Sequence, residues 1–251
     1  MGVFDWQMPP DHLQLAGGEL HLWRIDLEYF GKVSGPAGLL SSDEKARYSR
    51  LVSAEKRISF AAGRAALRLI LAKYLNLLPR AIKFGYSDMG KPHLVNPLFG
   101  HHIRFNLSHS GRWMLLGICK DIEIGIDIEE VRPANLAWAL DNLFSQEERG
   151  DLEKLAENER ERAYIAAWTK KEAAAKADGT GLVGNSTKGG YFASTYEIQD
   201  PDHFTVKRDD GFWFLQMEPV PGYLAAIALS SAEMPPVKFY DFPHENENCN
   251  L

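Results

Sequence analysis

Asp127 and Glu129 lie within Gly125-Ile126-Asp127-Ile128-Glu129, and Glu172 and Lys176 lie within Trp168-Thr169-Lys170-Lys171-Glu172-Ala173-Ala174-Ala175-Lys176. On a strand, side chains alternate between faces, so Asp127 and Glu129 share one face while Ile126 and Ile128 turn to the other. On a helix, residues four apart are neighbours, so Glu172 and Lys176 present a carboxylate and an ammonium side by side. Three acids and a lysine are the parts of a metal-phosphate site, because a hard ion such as Mg2+ takes a few carboxylates together with substrate phosphate oxygens. Ordinary structure competes with each assignment. A solvated edge strand accounts for the acid pair, and a solvated helix face accounts for Glu172 and Lys176. The apolar, glycine-containing setting of Asp127 and the glycine-marked stop after Asp178 weigh against those readings.

Two further segments carry polar groups at a strand end or turn. Phe105-Asn106-Leu107-Ser108-His109-Ser110-Gly111 places hydroxyls and an imidazole at a strand-to-turn junction, where donors can meet an anion. An Asn/Ser turn between strands is the plain alternative. A serine nucleophile with His109 as its base is disfavoured, since adjacent residues on an extended chain point apart. Gly90-Lys91-Pro92 reads as a turn bearing a lysine, and Arg47 and Arg50 read by default as surface charges.

The elements that must position these groups show a repeating plan. Leu40-Ser41-Ser42-Asp43-Glu44 and Phe144-Ser145-Gln146-Glu147-Glu148 each offer a serine N-cap with a glutamate three residues on, preceded by an apolar residue. Each leads into an alanine-rich helix, through Arg57 to Gly63 and through Arg162 to Trp168. Strands are predicted at Ile103 to Leu107, Trp113 to Ile118, Phe212 to Leu215 and Tyr223 to Leu229. The offset of about a hundred residues is domain-sized rather than solenoid-sized. A tandem of two α+β halves follows, spanning 1–120 and 121–240, with the join near Lys120-Asp121 and a polar tail at 241–251. Capping boxes and alanine-rich helices are common, so a chance likeness of the two halves competes with duplication.

Bulk properties narrow the class. With 251 residues, 45% hydrophobic and 25% charged, the chain has an ordinary globular composition and length enough for a substantial core. A net charge of -6 argues against a general nucleic-acid-binding role, which needs a basic surface. The two cysteines, Cys119 and Cys249, make neither a disulfide framework nor a metal-ligand spacing, which points to a reducing, cytoplasmic setting. Apolar runs such as Trp113 to Cys119 are too short to span a bilayer, and the N-terminus has no export pattern.

Taken in order, Gly90-Lys91-Pro92, Phe105 to Ser110, Gly125 to Glu129 and Trp168 to Lys176 resemble the Sfp-type 4'-phosphopantetheinyl transferases. The resemblance runs from about Leu40 to about Leu229. It implies a pseudo-twofold α+β monomer with the active site between its halves. It also implies a reaction: transfer of the phosphopantetheine arm of coenzyme A to a serine of an apo acyl, peptidyl or aryl carrier protein, releasing adenosine 3',5'-bisphosphate. By the same resemblance, Asp127, Glu129 and Glu172 would hold Mg2+, with Mn2+ as a substitute. Lys176 and Lys171 would add positive charge at the pyrophosphate. Arg47 and His109 would meet the 3'-phosphate of coenzyme A, with Lys91, Pro92 and Ser108 bordering the nucleotide. Glu172 would be the general base, directly or through a bound water. Two departures bear on nucleotide binding: Glu44 stands where some relatives place a basic contact, and Ser59-Phe60 replaces a more polar pair. Leu182, Val183, Lys188, Tyr191 and Phe192 have the apolar and basic mixture suited to docking an acidic carrier. A metal-dependent phosphohydrolase and a catalytically silent binding module are the rival classes.

Overall fold

A computed structural model describes residues 2–33, 35–95, 102–132, 137–179 and 203–243. Its strands are β1 (Gly2–Val3), β2 (Leu20–Asp26), β3 (Phe84–Tyr86), β4 (Pro92–Leu94), β5 (Ile103–Ser110), β6 (Trp113–Lys120), β7 (Glu123–Glu130), β8 (His203–Asp209), β9 (Phe212–Val220), β10 (Tyr223–Ser230) and β11 (Val237–Asp241). Its α-helices are α1 (Leu27–Val33), α2 (Ser42–Arg50), α3 (Ala54–Leu75), α4 (Ala137–Leu143), α5 (Gln146–Lys154) and α6 (Glu157–Asp178).

Both predicted capping boxes form. Ser41 and Glu44 close the start of α2, and Ser145 and Glu148 close the start of α5, each pair satisfying amides that a helix end leaves without partners. The glutamates also do something the motif does not announce. Glu44 is 2% exposed and bonds the guanidinium groups of Arg64 and Arg68, both on α3. Glu148 is 3% exposed and bonds the Lys171 ammonium on α6. In each half the short capped helix is therefore tied to the long helix by one buried carboxylate.

The sheets repeat the same plan. One sheet contains the order β2-β6-β5 and the other β7-β10-β9, with antiparallel neighbours in both. Four layers result. Met114, Leu116 and Ile118 of β6 and Trp23 and Ile25 of β2 pack against α3. Leu20, Leu22, Leu115 and Cys119 on the opposite face meet Ile124, Ile126, Ile128, Leu215 and Ile227 of the second sheet. The far face of that second sheet carries α6, through Ala173, Ala174 and Ala177 against Phe214, Ala226 and Ala228. This is the mixed α+β architecture expected, as a tandem.

The chain ends cross over between the halves. β1 pairs with β8 in the second sheet, and β11 runs parallel to β2 in the first. We propose that the repeat divides near residue 120, where Asp121 takes a φ of 57° in the turn from β6 to β7, with each half borrowing its outermost strand from the other end of the chain. Residues 244–251 of the expected tail and all five expected carrier-docking residues lie outside the described residues.

Candidate active site

The site lies where the two sheets meet edge to edge. β7 is the last strand of its sheet and β5 the last of the other. An edge strand leaves amides and carbonyls unpaired, and here side chains from β5 take part of that role. Asn106, Ser108 and Ser110 share one face of β5 by the period of two. Asn106 accepts the Ile126 amide at 2.8 Å, and Ser110 accepts the Glu130 amide at 3.2 Å. Ser108 donates to Asp127 Oδ1 at 2.9 Å, and Ser110 donates to Glu129 Oε2 at 2.7 Å. β7 is thus an edge strand in hydrogen-bonding terms yet not a solvated one: Asp127 is 3% exposed.

Helix α6 closes the site from the other side. A Cβ on Gly125 would fall inside contact distance of the Ala173 carbonyl oxygen and the Ala177 amide, so only glycine lets α6 lie backbone to backbone on β7. That approach brings Lys176 to the strand. Its ammonium donates to Asp127 Oδ1 at 2.7 Å and to Ser108 Oγ at 3.2 Å. Glu172, one turn earlier, is half-buried on the same ridge, as is Trp168, which stacks on Tyr164.

Burial dominates the electrostatics of this cluster. Burial raises the pKa of Asp127, against the pull of Lys176 and Ser108. Burial raises Glu129 as well, with Ser110 opposing and Asp127 adding to the rise. Glu172 is raised by burial, with Lys176 opposing and both other acids adding. Their negative charges therefore act on one another, and Glu129 also contributes, after burial, to lifting Tyr164 to about 12. Asp127 Oδ2 is buried without a hydrogen-bond partner, a costly state for a carboxylate oxygen unless a cation or donor meets it. Among the described residues, no three carboxylates, imidazoles or thiolates are drawn together as a ready-made metal cage. The donor set nevertheless fits a hard ion that takes few protein oxygens and completes its shell from elsewhere.

The remaining expected site residues divide. His109, between Ser108 and Ser110 on β5, keeps surface open to solvent, yet protein crowds its ring enough to desolvate it and the charges of Lys176 and Asp127 reach it. Withdrawal from solvent and the Lys176 ammonium hold its pKa below the ordinary histidine value, with Asp127 opposing. Arg47 is exposed on α2, its guanidinium 5.4 Å from the centre of the Phe60 ring. Pro92 and Lys91 line a cavity of about 490 Å³ with Arg104, Phe105 and Asp178. The Lys91 ammonium itself is engaged by the carbonyls of Ile124 at 3.0 Å and Lys176 at 2.8 Å. It straps the turn at Gly90 to the end of α6, which is more than the bordering contact expected of it.

Lys171 has a buried partner. It is 2% exposed, donates to both oxygens of Glu148 at 2.8 and 3.1 Å, and lies over the Phe144 ring. Its ammonium is thus engaged in the α5–α6 contact, whereas the resemblance had implied a place at the pyrophosphate. Glu44, the acid noted in place of a basic contact, is a buried partner of Arg64 and Arg68. Ser110 was passed over. Its signal was present, since its spacing from Ser108 matches that of Glu129 from Asp127.

Residues 123–227 match the 4'-phosphopantetheinyl transferase superfamily, and residues 32–120 match the family described as 4'-phosphopantetheinyl transferase, N-terminal. The chain is 38% identical over 179 residues to the 4'-phosphopantetheinyl transferase HetI of Nostoc sp., covering 70% of this chain and 76% of HetI. The chain belongs to the 4'-phosphopantetheinyl transferase superfamily, and it is an enzyme of that class. Further relatives are a Bacillus subtilis 4'-phosphopantetheinyl transferase, 32% identical over 184 residues (68% of this chain, 78% of the relative), and Sfp of the same species. Sfp is 30% identical over 155 residues, covering 57% of this chain and 67% of Sfp.

Proposed function

We propose that this chain transfers the 4'-phosphopantetheine arm of coenzyme A to a serine of an apo acyl, peptidyl or aryl carrier protein, with Mg2+ held by Asp127, Glu129 and Glu172. The observation that carries the metal is the buried, unpartnered Asp127 Oδ2, on the strand face it shares with Glu129. In the reaction the carrier serine Oγ bonds to the phosphorus bearing the pantetheine. The bond from that phosphorus to the bridging oxygen breaks, and adenosine 3',5'-bisphosphate leaves with the electron pair. Asp127, Glu129 and Glu172 would hold Mg2+, which would supply positive charge where negative charge grows on the leaving phosphate.

The chain's own groups supply the rest. Lys176 adds a positive charge at the same phosphates and, until they arrive, balances Asp127. Glu172, directly or through a bound water, takes the proton of the carrier serine. His109 and Arg47 receive the 3'-phosphate, and the cavity lined by Lys91, Pro92 and Phe105 receives the nucleotide, bordered by Ser108. Among the described residues no helix is long and apolar enough to cross a membrane. We place the enzyme in the cytoplasm as a monomer, a reading supported by a site whose two edges come from one chain.

The test is intact mass. Incubation with coenzyme A, Mg2+ and an apo carrier protein is expected to add the phosphopantetheine mass to the carrier, and to stop doing so in excess chelator. Free phosphopantetheine with an unmodified carrier would replace this reading with hydrolysis. Coenzyme A binding with no product of either kind would replace it with a silent module.

A further inference from the structure

The Ser110 hydroxyl is 7% exposed and has two partners from β7: it accepts the Glu130 amide at 3.2 Å and lies 2.7 Å from Glu129 Oε2. A serine hydroxyl carries one proton. The amide, itself a donor, occupies the oxygen's acceptor side and leaves that proton for the carboxylate. The turn behind Ser110 is held close to the second half, since Gly111 has a φ of 52° and a Cβ there would stand 2.7 Å from the Tyr223 hydroxyl. Ser110 and Glu129 belong to different sheets and different halves of the repeat. The direction of Glu129 is therefore set by a donor that its own half does not contain.

We propose that Ser110 is a positioning residue for Glu129, orienting that carboxylate as a ligand of the divalent ion; this rests on the metal reading given above. Ser108 stands to Asp127 as Ser110 stands to Glu129, so one oxygen of each acid is committed to a serine of the other half. Groups that orient a metal-binding side chain commonly account for tenfold or more in metal affinity.

The experiment compares wild type, Ser110→Ala and Ser110→Thr by calorimetric titration of coenzyme A at a series of Mg2+ concentrations, alongside turnover of an apo carrier. Ser110→Ala is expected to need about tenfold more Mg2+ for the half-maximal gain in coenzyme A affinity. Its kcat falls, and its KM for the carrier stays unchanged. Ser110→Thr, which keeps the hydroxyl, is expected to recover most of the wild-type Mg2+ dependence. An alanine variant with the wild-type Mg2+ titration overturns the proposal alone, even if its melting temperature falls. So does a threonine variant as impaired as alanine. A wild-type enzyme whose coenzyme A affinity and turnover ignore Mg2+ overturns the metal reading, and this proposal with it.

Discussion

Adjacent residues on α6 have unrelated work. Glu172 stands half-buried among the acids of the site, whereas Lys171 is buried in a pair with Glu148. Opposite outcomes follow for their substitution. On the proposed roles, Glu172→Gln removes the proton acceptor while keeping size, so turnover should fall by about a hundredfold or more with most of the coenzyme A affinity retained at saturating Mg2+. Lys171→Met leaves a carboxylate buried without its cation, which should cost about 3–5 kcal/mol of stability. Its turnover per folded molecule should not change. Urea unfolding and steady-state kinetics on both variants check the contrast; a stable, inactive Lys171→Met would return that lysine to the chemistry. Residue types and spacing were enough to single out Asp127, Glu129, Glu172 and Lys176 as candidates. They were not enough to separate Lys171 from Lys176, because every lysine of the run is a plausible phosphate partner until a helix places Lys171 against α5 and Lys176 against β7.

The contact that matters most between elements is that of α6 with β7. Alanines on the helix and a glycine on the strand let the two backbones touch, which brings Glu172 and Lys176 over Asp127. Gly125→Ala would force the helix outward, because what the new methyl meets is helix backbone and not a movable side chain. A loss of about 1–3 kcal/mol is expected from such overpacking. Activity should fall further than stability explains, since the Lys176 to Asp127 bond depends on the same approach. Thermal unfolding and kcat measured together test this, and a variant losing stability alone would show that the site tolerates the shift. The strands and capped helices were legible in the sequence, since period and N-cap chemistry are local. The second use of Glu44 and Glu148, as buried partners for the long helices, was not, because its partners lie twenty or more residues away.

At the scale of the molecule, the two halves share one apolar layer and exchange terminal strands. Fragments 1–120 and 121–251 made separately should therefore lack cooperative unfolding. The first loses β11, the second loses β1, and each exposes its face of Leu20, Leu22 and Leu115 or of Ile124, Ile126 and Ile128. Circular dichroism melts of each fragment and of their mixture check this, with carrier modification as the readout of the reassembled site. A fragment melting cooperatively by itself would contradict it. By itself, the sequence determined the α+β class and the family, and it singled out the candidate groups for chemistry, because these rest on residue types, on short-range periodicity and on ordered motifs. Tertiary structure decided which of those groups meet. Whether β7 faces water, whether a lysine is spent on packing, and which serine steadies which acid depend on two edge strands and a helix brought together from distant parts of the chain. No local pattern specifies that meeting; it follows from how the two sheets bury their shared face.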